Sequence, residues 1–349
     1  MVGDPGGPTA TPWWAEADDD ELLALRFVDL GLRRPGPFLE SCVSRLESEL
    51  DERGLSFRPH IWMSDEWFSP DGVAGFALPF YLAHPRLRRL ERSVMHEVEG
   101  ATRSECMKLL RHETAHALQH AYHLERRREW RQLFGRSGRR YPSRYRPDPA
   151  SRDHVHHLRD WYAQCHPDED FAESFAVWLA PRSGWRRRYA GWPVLAKLEY
   201  LDRLLDDLRQ PPHPRARRRM IDPVHRLRST LRDHYRERRD RFGFDRPCAL
   251  DDPLRNIMGP PGGRGDTRRS GAAALRRLRR SVIERVAPDT PERSYALNMV
   301  YDDLVGRCLV LDIRVRRRDA AIIRATADYL RRRLHTMFHD PATMEWIPV

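Results

Sequence analysis

A five-residue string at positions 112–116, with the pattern H-E-x-x-H, carries the residue types of a hydrolytic metal site. His112 and His116 are four positions apart, so on a helix both imidazoles project from one face and can bind one Zn²⁺. Glu113 would then act as general base toward the metal-bound water. The apolar flanks predict a buried helix, in which these polar groups would be costly without a partner. The alternative interpretation is a hydrogen-bonded histidine pair in the core or on the surface.

The class of metal site depends on the third ligand, because a catalytic zinc has three protein ligands and one open position. The longer pattern H-E-x-x-H-x-x-G-x-x-H would need Gly and His where this chain has Gln119 and Tyr122, so that class is excluded. His120 continues the stripe of His116 but lies a further turn along the helix axis, which favours a supporting or solvated role over ligation. The third ligand is therefore expected from another part of the chain.

A second helix, predicted over residues 168–180 from its apolar period of 3.6 residues, can supply that ligand. Glu169 and Glu173 are four positions apart and share one face of it. Two neighbouring carboxylates repel each other unless cations or protons separate them. We expect Glu169 to be the third zinc ligand and Glu173 to accept the outer N–H of a zinc-bound histidine. The alternative is a pair of solvated glutamates that complement the dipole at the helix start.

The two strings together resemble a known class of enzymes. H-E-x-x-H followed by an E-x-x-x-D/E helix resembles the gluzincins, the thermolysin-like class, and residues 169–176 (E-D-F-A-E-S-F-A) are similar to the form in lethal-factor-type toxin proteases. More closely, residues 161–173 and 64–72 look like a bacterial family of zinc-binding metallopeptidases, a likeness that covers about residues 25–245. Members of that family often carry a cysteine zinc ribbon near the N-terminus, and this chain has no such cysteine pairs there.

The resemblance implies a reaction and a role for one further residue. In the toxin proteases a tyrosine seven residues before the glutamate ligand helps to stabilise the oxyanion, and that position here is Tyr162. With Zn²⁺ as Lewis acid and Glu113 as base, a zinc metallopeptidase acting on a peptide or protein substrate is expected. A buried structural tyrosine is the alternative for Tyr162. For the whole protein, the alternatives are hydrolysis of a non-peptide amide and a zinc-stabilised, non-catalytic binding or scaffold protein with a basic helical C-terminal half.

Two short apolar and aromatic runs, residues 57–63 and 73–82, precede the metal helix and flank a turn signal at 69–72. They predict a hairpin or small sheet, whose second run should pass near the site with Pro79 at an edge. Helices are predicted over residues 37–52, 85–128, 192–209 and 221–241. The expected fold class is α+β, a mainly helical zincin-type metallopeptidase fold with a small sheet.

Composition shifts divide the chain into four predicted segments. Residues 1–20 are expected to form a flexible arm, 21–258 a zincin-like metallopeptidase domain, 259–267 a Pro/Gly-rich linker and 268–349 a helical C-terminal region. Residues 211–349 hold 31 arginines against 18 acidic residues, whereas residues 1–210 hold 31 basic and 33 acidic ones. Because the arginines mingle with acidic residues on helices, solvation or ion pairing is expected and nucleic acid is not expected as a partner.

Compartment and redox state follow from what the sequence lacks. No apolar run approaches the length of about 20 residues that spans a bilayer, and the N-terminus has no basic-then-apolar signal, so a cytoplasmic protein is expected. The five cysteines are widely spaced and include no C-x-x-C pair, which predicts neither a disulfide framework nor a cysteine zinc site.

Overall fold

A computed structural model describes residues 11–208, 219–242, 248–263, 265–287, 290–340 and 344–349. The helices are α1 (Asp19–Ala24), α2 (Pro37–Glu52), α3 (Pro85–Met95), α4 (Arg103–Tyr122), α5 (Arg128–Leu133), α6 (Pro167–Leu179), α7 (Trp185–Arg188), α8 (Leu195–Asp207), α9 (Leu231–Phe242), α10 (Asp251–Met258), α11 (Gly271–Val286), α12 (Pro291–Val310) and α13 (Asp319–His339). The strands are β1 (His60–Ser64), β2 (Gly75–Pro79), β3 (Arg144–Tyr145) and β4 (Ile347–Pro348). Helices dominate and the sheets are small, so the fold class is α+β as predicted.

The two apolar runs before the metal helix form a small sheet rather than a hairpin. β1 and β2 pair in parallel, from His60 opposite Gly75 to Ser64 opposite Pro79. The chain between them turns back, and Phe68 pairs antiparallel with Ala77 on the other side of β2. Because the connection makes this extra reversal, the second strand runs in the same direction as the first. Both sides of β2 are therefore covered at its centre.

The long helix predicted over residues 85–128 is two helices, α3 and α4. α3 ends where His96 adopts a left-handed backbone with φ 59°, and Gly100 follows with φ 75°. α4 begins at a capping box in which Thr102 accepts the Glu105 N–H and the Glu105 side chain accepts the Thr102 N–H. The apolar periodicity continues across the break, so it does not reveal a stop that backbone conformation and capping produce.

Residues 13–20 differ from the flexible arm that the composition predicts. Trp14 is 1% exposed, and its indole N–H donates to the Leu30 carbonyl at 3.0 Å. Asp18 caps α1 in a second capping box, with Glu21, so the acidic run starts a helix. The large apolar area of a tryptophan outweighs the polar composition around it. Residues 1–10 of the predicted arm lie outside the described residues.

Buried apolar side chains form two main clusters. The first extends from Trp14 to Tyr235 and includes β2, α4, α6 and α8. The second joins α10 to α13 and also includes Trp161. α10 thus packs with the C-terminal helices although it precedes the predicted linker, whose Gly262 N–H donates to the Asp312 carbonyl at 2.8 Å. The predicted domain boundaries remain a prediction, but the packing assigns α10 to the second cluster.

Two further observations bear on the sequence-based expectations. No helix among the described residues is both long enough and apolar enough to cross a membrane. All five cysteines are free in the structure, and Cys248 alone among them is exposed.

Candidate metal centre and cleft

Two helices carry the predicted site residues and pack against each other deep in the first cluster. Along α4 every residue from His112 to Gln119 is buried, and all but the first residue of α6 are buried. α6 is started by Pro167 at its first position and by the His166 ring nitrogen, which accepts the Asp168 N–H at 3.2 Å. Each cap fixes where its helix begins, and therefore fixes which face of the helix its ionisable residues share.

His112, His116 and Glu169 meet at one point, as the spacing predicts. The two Nε2 atoms are 3.1 Å apart, and Glu169 Oε2 lies 2.9 Å from His112 Nε2 and 3.2 Å from His116 Nε2. Donors bound tetrahedrally at about 2 Å from one ion lie roughly 3.3 Å apart, so these separations suit a shared ion. The buried group can therefore hold a metal ion.

Glu173 lies on the far side of His112. Its Oε1 accepts the His112 Nδ1–H at 3.0 Å. Nε2 of that ring, which faces Glu169, is therefore the nitrogen that can bind a metal ion. Its Oε2 accepts the Leu158 backbone N–H at 2.8 Å. Both oxygens of a carboxylate that is 1% exposed are therefore used, and the ring orientation of His112 is fixed from behind.

The electrostatics of this cluster favour a cation. Burial opposes charge on His112, but the carboxylates of Glu169 and Glu173 outweigh it and hold the pKa of this imidazole well above its usual value. Burial likewise opposes charge on Glu169, and His116 and His112 outweigh it, so its pKa lies well below the usual value. Two buried carboxylates thus require positive charge beside them, and a metal ion held where the ring nitrogens meet would supply it.

Glu113 projects into the cleft next to the histidines. It is 7% exposed, and its Oε2 has no hydrogen-bond partner in the part of the chain that the structure describes. Burial raises the pKa of this carboxyl group, against the positive charge of His112 and His116. An unpaired buried carboxylate oxygen is costly, and this one belongs to a residue that lines the cleft beside the metal-binding group.

Tyr162 lies beside the cluster, with its ring centroid 5.9 Å from that of His112. Its hydroxyl has no hydrogen-bond partner among the described residues, and its side chain lines the cleft. Asp160 and Trp161, just before it, both have left-handed backbones, with φ 59° and 53°. Such a conformation costs about 1 kcal/mol or more per non-glycine residue, and it persists where the surroundings impose it. The cost is consistent with a segment that is shaped to aim Tyr162.

The C-terminal helices hold this strained segment in place. Tyr295 on α12 donates its hydroxyl to the Leu158 carbonyl and accepts the Trp161 N–H at 3.4 Å. Tyr145 donates to the Asp160 carbonyl at 2.8 Å. Residues far apart in sequence therefore support the loop between Leu158 and Tyr162, which also holds Glu173.

Tyr141 was not predicted from the sequence. Its hydroxyl donates to Glu169 Oε1 at 2.8 Å, so the oxygen of Glu169 that does not face the histidines is also hydrogen-bonded. Its ring stacks on His166, with centroids 3.7 Å apart. The residue sits in a charged loop without periodicity, and no local pattern distinguishes it from the loop tyrosines that have no such role.

The site opens into a cleft of about 740 Å³. Its walls include residues 67–69 and 158–160, the tyrosines at 141, 145 and 162, and Ile347 and Val349 near the C-terminus. His120 reaches the cleft with Nε2 3.9 Å from Asp71, and among the described residues it is not part of the metal-binding group. The sequence predicts that the second apolar run passes near the site, but every residue of β2 is buried and the cleft is lined instead by Phe68 and Ser69.

The chain was compared with protein-family models, curated proteins and solved structures, and none of them matches it.

Proposed function

We propose that this protein is a zinc-dependent metallopeptidase of zincin type, which hydrolyses peptide bonds by Glu113-assisted attack of water. One observation carries the proposal: three buried ligand atoms converge beside a cleft that Glu113 also lines, and one oxygen of its carboxyl group has no hydrogen-bond partner among the described residues. Two histidines and one glutamate are the ligand set of one group of zinc hydrolases, and nitrogen and carboxylate donors suit zinc. The sequence resemblance to gluzincins and to bacterial zinc-binding metallopeptidases supports the same class.

The chain's own residues provide the chemistry around the ion. Bound Zn²⁺ would supply Lewis acidity and lower the pKa of a water molecule toward about 7. Glu113 takes the proton from the attacking water and returns it to the departing amine, because its carboxyl group lines the cleft next to the histidines and has an oxygen without a hydrogen-bond partner among the described residues. Tyr162 donates to the oxygen of the substrate carbonyl as negative charge develops there.

Further residues position this group. Glu173 holds His112 in one tautomer and one orientation. Tyr141 hydrogen-bonds the outer oxygen of Glu169 and so keeps its other oxygen directed at the histidines. Positioning contacts of this kind typically change metal affinity or activity 10- to 100-fold when they are lost.

Replacing Glu113 by Gln tests the proposal, because it keeps the shape of the side chain and removes its basicity. We expect zinc content to stay at one ion per chain while kcat on a quenched fluorescent peptide library falls roughly 10²- to 10⁴-fold. Glu47→Gln, at an exposed position on α2, is the matched control and should leave both quantities unchanged.

The outcomes separate the proposed function from its alternative. Undiminished turnover by zinc-loaded Glu113→Gln would exclude Glu113 as the base. If the wild-type protein binds zinc and cleaves no peptide in the library, the peptidase proposal is wrong, and the two alternatives are hydrolysis of a non-peptide amide and a structural metal in a binding or scaffold protein.

A further inference from the structure

A short C-terminal strand lies along the wall of the metal cleft. β4 pairs antiparallel with β3, with Ile347 opposite Tyr145, and the Val349 N–H donates to the Ser143 carbonyl at 3.3 Å. The Arg146 guanidinium lies over the Trp346 ring, 4.9 Å from its centroid. The backbone of residues 143–145 therefore already accommodates an extended segment of polypeptide.

This pairing takes place inside the proposed active-site cleft. Tyr145, Ile347 and Val349 line the same cavity as His112, Glu113 and Glu169. Tyr141, which contacts the metal-binding group, lies two residues before the paired segment. An extended chain on this edge is thus held within the cavity that contains the proposed catalytic groups.

The strand also borders a second cavity. A cavity of about 640 Å³ lies between α12, α13 and the segment at residues 95–97. Ile347 lines both cavities, together with Arg159, Asp160 and Phe242. The segment at residues 344–349 therefore lies at the border of both cavities, of which the first contains the metal-binding group and the second leads toward the C-terminal helices.

The contacts that hold the strand are few. The β3–β4 ladder has two residue pairs, whereas the β1–β2 ladder has five. Met344 is 6% exposed and packs in the second cluster, whereas Trp346 is 55% exposed and Val349 is 43% exposed, so beyond Met344 much of the apolar surface of the segment stays in water. A strand with so short a ladder and so little burial can be displaced by a competing peptide.

We propose that residues 345–349 occupy the groove in which an extended peptide substrate binds, and that the backbone of residues 143–145 is a docking edge for the substrate main chain. Pairing to an edge uses main-chain hydrogen bonds and so accepts many sequences. β2 cannot serve as this edge at its centre, because β1 and Phe68 cover its two sides. The strand then lowers the affinity for substrate by occupying the edge. The inference rests on the proposed peptidase function.

Weakening the strand while leaving the metal-binding group and Glu113 unchanged tests this inference. Val349→Pro removes the N–H that donates to Ser143, and Val349→Ala keeps it, which makes Ala the matched control. The probe is a fluorescein-labelled peptide with the sequence of residues 344–349, titrated into zinc-loaded full-length protein and followed by fluorescence anisotropy. We expect Val349→Pro to bind it about tenfold more tightly than wild type, the change that follows from the loss of one backbone hydrogen bond. Val349→Ala should bind it like wild type.

A second variant and a second measurement complete the test. Ile347→Asp places a charge where an apolar side chain borders both cavities, and it should also increase peptide binding. Equal peptide affinity in wild type, Val349→Pro and Ile347→Asp overturns the inference. Hydrolysis of the peptide library, measured in parallel, reports on the proposed function separately. Tighter peptide binding by the variants without hydrolysis of the library supports the docking edge and contradicts the proposed peptidase function. Hydrolysis of the library with unchanged peptide binding supports the peptidase function and contradicts the docking edge.

Discussion

Two regions of the molecule differ in how many ionisable side chains they bury. The metal-site region, the described residues within 11–242, buries many ionisable side chains, whereas the C-terminal helical region, the described residues within 250–340, buries few. Those of the metal-site region are Glu49, Arg86, Glu91, His112, Glu113, His116, His156, His157, His166, Asp168, Glu169, Asp170, Glu173, Lys197, His234 and Arg238. Those of the C-terminal helical region are Asp251 and Glu292, each paired with an arginine.

The difference concerns the cost of burial. A buried ionisable group destabilises a fold unless it is paired, and several of those in the metal-site region, among them His112, Glu113 and Glu169, line the cleft, as the proposed function requires. In the C-terminal helical region the arginines form exposed pairs such as Arg279 with Asp302 and Arg280 with Glu284. These pairs support the sequence-based interpretation of the basic half as solvated and ion-paired faces. The absence of nucleic acid among the partners remains a prediction.

The largest expected effect is a loss of zinc affinity when a proposed ligand, but not a neighbouring histidine, is replaced in the metal-site region. His116→Gln removes one donor atom from the metal-binding group, and we expect zinc affinity to fall by roughly 1000-fold, beyond the effect of losing an outer partner. His120→Gln is the matched control, because His120 lies one turn further along α4 and outside that group. Zinc content after dialysis against a chelator series measures both. Equal loss in the two variants would mean that the ligand set is wrong.

Most of the metal-binding group could be predicted from the sequence, because the positions of its side chains depend mainly on local helix geometry. His112 and His116 share a face through helix geometry alone, and Glu169 and Glu173 share another for the same reason. Only the meeting of α4 and α6 is non-local, and the need of buried carboxylates for positive charge makes that meeting predictable.

Other parts of the site depend on contacts that no local pattern records. Tyr141 approaches Glu169 because its loop is held between α6 and the C-terminal strand. Tyr295 reaches Leu158 from a helix more than a hundred residues later. The break between α3 and α4 depends on a left-handed residue within a continuous apolar pattern. Each feature is fixed by packing between distant segments, which neither residue propensity nor the periodicity of apolar residues in the sequence can predict.

The second prediction compares a buried ion pair with an exposed one. Lys197 Nζ lies 2.6 Å from Asp170 Oδ2, and both side chains are buried. Lys197→Met leaves a buried carboxylate without its cation, and we expect it to lower the free energy of unfolding by about 3 kcal/mol. Arg280→Ala breaks an exposed pair in the C-terminal helical region and should leave the free energy of unfolding nearly unchanged, because water screens both charges. Urea denaturation followed by circular dichroism measures both, and similar losses would remove the contrast between the regions.

The smallest expected effect lies where the two regions meet. Tyr295→Phe removes the hydroxyl that donates to the Leu158 carbonyl. The Leu158 N–H donates to Glu173, and Glu173 in turn accepts the Nδ1–H of His112, so the lost contact lies two hydrogen bonds away from a proposed metal ligand. We expect a stability loss of about 1 kcal/mol, together with a several-fold faster release of zinc to a chelator.

Tyr301→Phe is the matched control for this contact. Its hydroxyl donates to the Leu275 carbonyl inside the C-terminal helical region at 2.7 Å, so its loss should lower stability by a similar amount and leave zinc release unchanged. The pair of variants therefore distinguishes general destabilisation from a specific effect on the loop behind the metal ligands. If both variants release zinc at the wild-type rate, the C-terminal helices support the fold alone, and the metal-site region positions its histidines without them.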